Sequence, residues 1–426
     1  MTWIAIGLFL GLALLGMPLA FSIGVGALAG IWLLDFDWVV LPQRMMHAVN
    51  SFPLMAIPLF MLAGELMVRA GIMDRLISFA NSMVGRVHGG LAHVTITSGT
   101  IFASVSGAAV ASASAMGSTL VPSMRKYYPD AYSSAVITAA ANLGPVIPPS
   151  NAMIVYALMA GSSVSVGGLF LSGIVPGILL AISFMGIASW ISWRRGYPLT
   201  GKKFNLRNVL QQARQAIVII LMPVIVVGGI VGGVFTATEG AAIAVVYSAF
   251  IGFFVTRQLK IADLPACFFK AAVTSSMVGA LIAFASVMTF IFTIEMVPVM
   301  LSQFIQSLTA DPMTFILLTM ALLIVVGMLI ESNAAYIMLV PLFAPVALTY
   351  GIDPLYFGFL FMYNLVVGMM TPPVGVLYFV MCGITKVPMA QLVKESLPFV
   401  ACQFLLLALC IVFPSIVTGL PRLMGY

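Results

Sequence analysis

Two groups of small polar residues and prolines have the types and spacing expected of an ion-binding site, and one lies in each half of the sequence. In the first half, residues 104–107 (SVSG) open a segment rich in Ser, Ala and Gly, and the uncharged stretch 142–151 (NLGPVIPPSN) follows it. In the second half, residues 327–334 (GMLIESNA) are followed by 364–373 (NLVVGMMTPP). This order of polar tip, proline, Asn, Gly and Pro-Pro occurs twice, about 222–226 residues apart, as a weak internal repeat.

The two Pro-Pro pairs, at 148–149 and 372–373, predict helices that stop and restart. Each proline lacks an amide donor and clashes with the preceding turn, so a regular helix cannot continue through the pair. Unwound backbone at membrane depth is tolerated only where it is buried in protein or lines a cavity, and there its carbonyls and helix ends bind ions. A single break of this kind is as readily a simple proline kink as a binding site, whereas two matched breaks indicate the binding site of a transporter.

The composition requires a membrane. Of the 426 residues, 62% are hydrophobic and 7% are charged, against roughly 45–50% and about 25% in soluble domains. Residues 131–193 contain no Asp, Glu, Lys or Arg and cannot form a water-facing surface. Because the apolar runs are long and continuous, we predict an all-α polytopic membrane protein with about ten to twelve hydrophobic segments. Soluble enzymes, nucleic-acid-binding proteins and secreted disulfide scaffolds are excluded.

The basic segment 194–214 divides the chain into halves of similar length. It holds six of the 18 basic residues and no acidic one, so the positive-inside rule predicts a cytoplasmic linker. We therefore expect two inverted repeats, residues 1–193 and 215–426, and an odd number of crossings in each places both chain termini outside. Each repeat is expected to contain a re-entrant hairpin (about 104–125 and 327–350) and a broken helix (about 131–161 and 354–385).

Other chemical motifs are poorly supported. Residues 196–203 (GYPLTGKK) imitate a Walker A loop but lack the Ser or Thr that holds magnesium. His47, His88 and His93 have no metal-ligand spacing, and no histidine follows the serine-rich segment as the base of a hydrolase. An intramembrane enzyme is thus disfavoured. A passive channel would need a continuous polar stripe, whereas polarity here is confined to the tips and breaks.

Charged residues within the apolar runs are candidate functional groups, because a charge at membrane depth costs at least ~2.5–3.5 kcal/mol. Glu331 is the strongest, since it directly precedes Ser332 and Asn333 at the second tip. Helix-end positions near headgroups are favoured for Glu65 and Glu295. Arg125 ends the first tip segment and has the planar fork that binds a carboxylate bidentately, although a snorkelling interfacial residue is an equal alternative. The Ser, Thr, Asn and carbonyl oxygens at the breaks favour sodium over proton coupling, which would require a chain of carboxylates or histidines.

Taken together, several segments resemble the large membrane subunit of tripartite ATP-independent periplasmic (TRAP) transporters, over nearly the whole chain. The matching segments are 51–60 (SFPLMAIPLF), Ser106-Gly107 with Gly117 and Pro122, 144–150 (GPVIPPS), 236–241 (TATEGA) and 371–375 (TPPVG). The resemblance implies a sodium-driven elevator-type importer of organic anions such as sialic acids or C4-dicarboxylates. The family commonly carries Asp at the position of Glu331, which keeps the carboxylate but shortens it by a methylene.

With this resemblance, we predict two sodium sites where each hairpin tip meets its broken helix, with the substrate between the tips. The substrate contacts are expected to be Ser106, Arg125, Ser150 and Glu331. The first sodium site is expected to draw on Ser104, Ser106, Gly107, Asn142, Gly144, Ile147, Pro148 and Pro149. The second is expected to draw on Gly327, Ser332, Asn333, Asn364, Gly368, Met370 and Thr371. The resemblance implies that sodium is transported and has no catalytic role.

The resemblance also implies partners and a location. A small TRAP membrane subunit, as a separate chain, and a soluble periplasmic substrate-binding protein are expected, in the inner membrane of a bacterium. A proton-coupled or stand-alone organic anion transporter remains the alternative.

Overall fold

The computed structural model describes residues 2–84, 87–199 and 205–426, and these ranges form helices joined by turns, without a β-strand. The all-α prediction is therefore confirmed. The helices of the first half are α1 (Thr2–Leu14), α2 (Leu19–Leu33), α3 (Val40–Val49), α4 (Ala56–Arg69), α5 (Ile72–Val84), α6 (Gly90–Ser106), α7 (Ala109–Met124), α8 (Asp130–Ala141), α9 (Asn151–Ala160) and α10 (Val166–Arg194).

The second half repeats the order of long, paired and interrupted helices. Its helices are α11 (Leu206–Val231), α12 (Ala237–Phe250), α13 (Leu264–Ile294), α14 (Val297–Leu308), α15 (Pro312–Leu329), α16 (Ser332–Thr349), α17 (Pro354–Gly368), α18 (Val376–Thr385), α19 (Met389–Val412) and α20 (Ser415–Leu423). A π-helical turn (Ile251–Val255) extends α12, and short 3₁₀ turns cover Phe52–Met55, Gly161–Ser163 and Ile261–Asp263.

Within the described ranges, seven helical segments are long and apolar enough to cross a membrane, or eight if the bent pair Leu206–Arg214 and Ala216–Val231 forms one span. The seven are Phe52–Arg69, Val166–Arg194, Ala237–Val255, Ile261–Ile294, Pro312–Leu329, Ser332–Thr349 and Met389–Val412. Five shorter apolar helices of 10–17 residues accompany them. The hydrophobic segments predicted from the sequence thus include full spans and helices that are too short to cross a membrane alone. The two halves of the second broken helix are among the short ones.

Both predicted breaks occur where the Pro-Pro pairs lie. The first separates α8 from α9 over residues 142–150, and the second separates α17 from α18 over residues 369–375. Both pairs, Pro148-Pro149 and Pro372-Pro373, contain a cis peptide bond. The predicted bounds of the broken helices, 131–161 and 354–385, agree with the structure to within a residue at each end.

The hairpins and the linker differ from their predicted bounds. The first arm of the first hairpin, α6, begins at Gly90 rather than near 104, and that of the second, α15, begins at Pro312 rather than at 327. Helix α15 begins at Pro312 with Asp311 as its N-cap, and Gly89 precedes α6. Each arm therefore carries a start signal that the predicted bounds, placed at the polar tips, did not use. The predicted linker 194–214 overlaps α11, which begins at Leu206, and its Lys202 and Lys203 lie outside the described residues.

The two halves pack through an exchange of equivalent elements. Helix α7 packs against α18 of the other half, while α16 packs against α9, and α8 contacts α19 as α17 contacts α10. This reciprocal pattern is that of a pseudo-two-fold axis. Helices α8 and α17 lie at its centre, since every residue of Tyr132–Ala141 and Tyr356–Gly368 is buried. The fold therefore brings the two helix breaks together in the middle of the molecule.

Candidate ion and substrate site at the two helix breaks

The first hairpin tip lies directly against the first break. Helix α6 ends at Gly107, whose φ of 62° is the left-handed conformation that glycine adopts without a Cβ penalty. A Cβ at this position would lie 2.8 Å from the carbonyl oxygen of Pro149. The amide of Asn151 donates to the Gly107 carbonyl at 3.3 Å. Glycine is needed here both for the turn and for the close approach of the two backbones.

The second tip meets the second break in an equivalent way. The backbones of Gly327 on α15 and Gly368 on α17 are so close that a Cβ at Gly368 would lie 2.6 Å from the Gly327 Cα. The amide of Gly375 donates to the Met328 carbonyl at 3.4 Å. This hydrogen bond has the same role as that between Asn151 and Gly107, because each joins the end of a hairpin arm to the start of the second half of a broken helix.

Backbone oxygens remain available at both junctions. The last carbonyls of a helix have no partner within it, and those of Ser104 and Ser106 accept no hydrogen bond within the described residues. The same holds for the carbonyl of Gly327 and for six of the carbonyls at the breaks, whereas those of Pro145 and Met370 accept from the hydroxyls of Ser150 and Tyr378. The six are those of Ile147, Pro148, Pro149, Thr371, Pro372 and Pro373. Oxygens of this kind, at the negative ends of helices, form the ligand set of a small hard cation.

Two asparagines occupy corresponding places at the centre. Asn142 ends α8, and its Nδ2 donates to the Val366 carbonyl of the other half at 3.0 Å. Asn364 lies in α17, and its Nδ2 donates to the Met320 carbonyl at 2.8 Å. Both side chains are fully buried, and in both the Oδ1 has no hydrogen-bond partner. Each amide therefore keeps one buried oxygen for a ligand.

The hydroxyl-bearing residues of the prediction lie at the same junctions. Ser150 caps α9, and its hydroxyl donates to the Pro145 carbonyl at 2.6 Å. Thr371 donates to the Val367 carbonyl of α17 at 2.8 Å and is 8% exposed. Ser104 donates to Ile101, while Ser106 is buried at the end of α6. In Ser150, Thr371 and Ser104 the hydroxyl hydrogen is used locally, so the oxygen lone pairs are what each can offer a cation.

The acidic residue of the second tip has a structural role of its own. Glu331 is the N-cap of α16, and its Oε2 accepts from the Ala334 amide at 3.2 Å. Its Oε1 accepts from Asn333 Nδ2 at 2.8 Å. The carboxylate therefore organises the turn that carries Ser332 and Asn333. Other carboxylates have clear roles elsewhere, with Glu65 ion-paired to Lys270 and Glu239 closing a capping box with Thr236.

Arg125 does not lie with the other predicted substrate contacts. It follows α7, whose 16 residues separate it from Gly107 by about 24 Å. Its Nη2 donates to the Thr385 carbonyl at the end of α18, and its Nε pairs with Asp130 at 3.2 Å. These contacts tie the base of the first hairpin to the second broken helix. The structure thus places Arg125 at the far end of α7 from the tip that carries Ser106.

One central residue was missed in the sequence. Gln403 lies in α19 and is fully buried, with its Oε1 accepting from Asn142 Nδ2 at 3.1 Å and its Nε2 directed at the Met370 sulfur at 3.2 Å. It therefore contacts a residue of each break. The signal that could have found it is a lone amide in the middle of an apolar run, which in a membrane helix is expected to face other helices.

The helical fold and the paired, oxygen-lined breaks define a polytopic membrane protein of the transporter class. More particularly, the chain belongs to the DctM family, since residues 6–416 match the family described as tripartite ATP-independent periplasmic transporter, DctM component. The resemblance drawn from the sequence motifs is thereby confirmed.

Relatives of the chain cover almost its whole length. It is 36% identical to the sialic acid TRAP transporter large permease protein SiaM of Vibrio cholerae, over 98% of both chains. It is 34% identical to the C4-dicarboxylate TRAP transporter large permease protein DctM of Pseudomonas aeruginosa, over 95% of this chain and 94% of that one. The isethionate TRAP transporter permease protein DctMQ of Oleidesulfovibrio alaskensis is 38% identical over 96% of this chain, which spans 65% of that longer protein.

The crystal structure of the YdaH transporter of Alcanivorax borkumensis is similar in fold. It superimposes with a TM-score of 0.66 at 15% sequence identity, covering 91% of this chain and 89% of that one. At this identity the likeness concerns the fold alone.

Proposed function

We propose that this chain is the transport subunit of a TRAP system and that it imports an organic anion by symport with sodium. The observation that carries the proposal is the pair of matched junctions, each with a glycine-lined contact between tip and break and with unpaired buried oxygens. The relatives named for sialic acid, C4-dicarboxylate and isethionate support an organic acid as the class of substrate. The chain belongs to a family of transporter subunits and not to a family of enzymes.

The first sodium ion would bind where the end of α6 meets the first break. Its ligands would come from Ser104, Ser106, Asn142 Oδ1 and the carbonyls of residues 147–149. Asn142 Oδ1 and these three carbonyls have no hydrogen-bond donor within the described chain. Gly107 and Gly144 make room for this approach, because a Cβ at Gly144 would lie 3.1 Å from the backbone of Ala108. A neutral oxygen set of this kind suits sodium better than a proton.

The second sodium ion would bind at the equivalent junction of the other half. Its ligands would come from the carbonyl of Gly327, the Thr371 hydroxyl and Asn364 Oδ1, with Ser332 and Asn333 at the tip. Gly368 permits the contact, and Met370 lies at the break. The pseudo-two-fold packing supports the assignment of one ion to each junction.

The substrate would lie between the two tips. An organic anion suits the N-terminal ends of the helices that restart after the breaks, where the helix dipole favours negative charge. Ser106 and Ser150 would contribute hydroxyl groups, and Glu331 would accept from a hydroxyl or amide of the substrate. Arg125 is proposed to stabilise the α7–α18 contact, in keeping with its hydrogen bond to Thr385.

We base the proposed partners and location on the same family membership. A small TRAP membrane subunit would supply part of a fixed frame, and the greater length of the DctMQ relative is consistent with a fusion of the two subunits. A soluble periplasmic protein would deliver the substrate. The chain would lie in the bacterial inner membrane, with the basic linker cytoplasmic and both termini periplasmic, and the hairpin-bearing domain would move as an elevator.

Sodium coupling is tested by uptake in proteoliposomes that contain the complete system. Sialic acid, succinate and isethionate are offered as substrates, with a sodium gradient, a proton gradient or neither imposed. We expect concentrative uptake of one of them with the sodium gradient and no loss on addition of a protonophore. Undiminished uptake in sodium-free buffer with a proton gradient would establish the proton-coupled alternative. Flux that equilibrates without concentrating the substrate would indicate a channel.

A further inference from the structure

Gln403 connects the two helix breaks through side-chain contacts on both sides. Its Oε1 accepts from Nδ2 of Asn142, at the first break, at 3.1 Å. Its Nε2 is 3.2 Å from the sulfur of Met370, at the second break. All three side chains are fully buried. No other side chain in the described residues hydrogen-bonds to the side chains of both breaks.

The contacts fix how the Asn142 amide is oriented. Its Nδ2 donates both to Gln403 Oε1 and to the Val366 carbonyl, and both partners are acceptors. The nitrogen therefore cannot exchange places with the oxygen without losing both hydrogen bonds. Asn142 Oδ1 is left as the buried, unpartnered atom at the first break. Gln403 thus holds the oxygen that the first sodium site would use.

The main chain at Gln403 is also hydrogen-bonded to a neighbouring helix. Its backbone carbonyl accepts from the Tyr363 hydroxyl of α17 at 3.1 Å, so the main chain of α19 is tied to the second broken helix as well. On the other side, the Met370 carbonyl accepts from the Tyr378 hydroxyl of α18, which spans the second break. A shift of the backbone at 370–371 is therefore opposed by a continuous set of contacts that ends at Asn142.

We propose that Gln403 is a positioning residue that couples the two sodium sites. An ion bound at Thr371 fixes the second break, and Met370 and Gln403 transmit this restraint to the Asn142 amide before the first ion binds, or in the reverse order. Coupling of this kind is reciprocal, so each ion raises the affinity of the other by the same factor. The inference depends on the proposed sodium sites, and it adds cooperativity between them.

The test is sodium titration of the purified full-length chain, in which equilibrium binding of radioactive sodium gives the Hill coefficient and the thermal unfolding midpoint reports stabilisation by the ion. Gln403→Met keeps the length and volume of the side chain but removes the amide. We expect the Hill coefficient for sodium to fall from between 1 and 2 in the natural protein to 1, with the half-saturating concentration raised severalfold. Gln391→Met makes the same chemical change at an exposed position in the first turn of α19 and should leave both values unchanged.

A second variant keeps the test decisive if Gln403→Met does not fold. Met370→Leu keeps a similar volume, removes the sulfur that Gln403 Nε2 contacts and leaves the contact with Asn142 intact, so its Hill coefficient should also fall. If sodium stabilises the natural protein but the Hill coefficient is the same in the folded variant, the coupling alone is overturned. No stabilisation of the natural protein by sodium, relative to potassium, would overturn the sodium sites and the coupling together.

Discussion

At the scale of single residues, the site depends on oxygen atoms that have no partner in the protein. A buried polar atom without a hydrogen bond is costly, yet Asn142 and Asn364 each keep such an atom at a helix break. Their nitrogens are well bonded, so the unpaired oxygens are not a consequence of loose packing. An ion bound as proposed would offset this cost, and the empty and occupied forms of the site would then differ in stability.

Replacing Thr371 by Val should weaken the second sodium site. The change removes one hydroxyl oxygen while keeping a side chain of similar shape, and the loss of such an oxygen corresponds to about 1–2 kcal/mol, or roughly 5–30-fold in the sodium concentration for half-maximal uptake. Ser106→Ala should have the same effect through the first site. The measurement is uptake rate as a function of sodium concentration.

A matched control exists in the same broken helix. Thr385 is also buried and also donates to the carbonyl four residues earlier, at 2.8 Å, but it lies at the far end of α18. Thr385→Val therefore makes the same chemical change away from the break and should leave the sodium dependence unaltered. Equal sodium dependence in Thr371→Val, Ser106→Ala and the natural protein would show that the breaks are only structural kinks.

The residue scale also shows what the sequence does and does not reveal. The serine, asparagine and proline residues at the breaks were found because polar residues are rare in apolar runs and the pattern occurs twice. Arg125 was associated with them because it follows the same segment, but a helix of 16 residues separates the ends of that segment in space. Gln403 was missed because it is distant in sequence from both breaks and has no repeated counterpart in the pattern.

At the scale of elements, close backbone contact holds the tips against the breaks. Gly368 illustrates this best, because a Cβ there would meet backbone atoms of Gly327, which cannot rotate away as a side chain can. Small residues that permit such an approach are typical of helix pairs in membranes. The predicted bounds of the broken helices were accurate for the same reason, since Pro-Pro and glycine act on the local backbone whatever surrounds them.

Gly368→Ala should separate α15 from α17 and destabilise the protein. Overpacking of this kind costs typically about 1–3 kcal/mol, so we expect a lower apparent Tm in detergent and reduced uptake. The control is Gly383→Ala in α18, where a Cβ meets nothing within 4 Å and the gain in helix propensity is roughly 1 kcal/mol. An unchanged or higher Tm for Gly368→Ala would mean that the close contact of the two helices is not required.

The hairpin arms were harder to predict than the breaks. Helices α6 and α15 begin well before the polar tips, and their start signals, Gly89 before α6 and Asp311-Pro312 at α15, are weaker than a proline pair. Their partners are set by tertiary packing, since α6 lies against α8 and α15 lies against α17. Such contacts depend on the whole arrangement of helices and leave no local pattern in the sequence.

At the scale of the whole molecule, the proposed elevator movement requires that one chain supply both a moving part and a frame. The two hairpins and broken helices form one central unit through the exchange of α7 with α18 and of α16 with α9. Helices outside this unit include α2, α4, α12 and α13, which contact one another extensively. The weak internal repeat of the sequence is thus the trace of a pseudo-two-fold packing in the structure, although the repeat alone gave no indication of which helices pack together.

From this division we expect that the chain does not import substrate by itself. A domain that moves across a membrane needs a fixed frame that resists its displacement, and the proposed small membrane subunit would enlarge that frame, while the proposed periplasmic protein would deliver the anion. Uptake is measured in proteoliposomes from which each component is omitted in turn, at a fixed sodium gradient. Omission of either partner should reduce concentrative uptake to background, whereas the purified chain alone should still be stabilised by sodium in a thermal unfolding assay, because both proposed ion sites consist entirely of its own residues. Robust concentrative uptake by the chain alone would contradict the tripartite arrangement and leave a stand-alone transporter as the description of this protein.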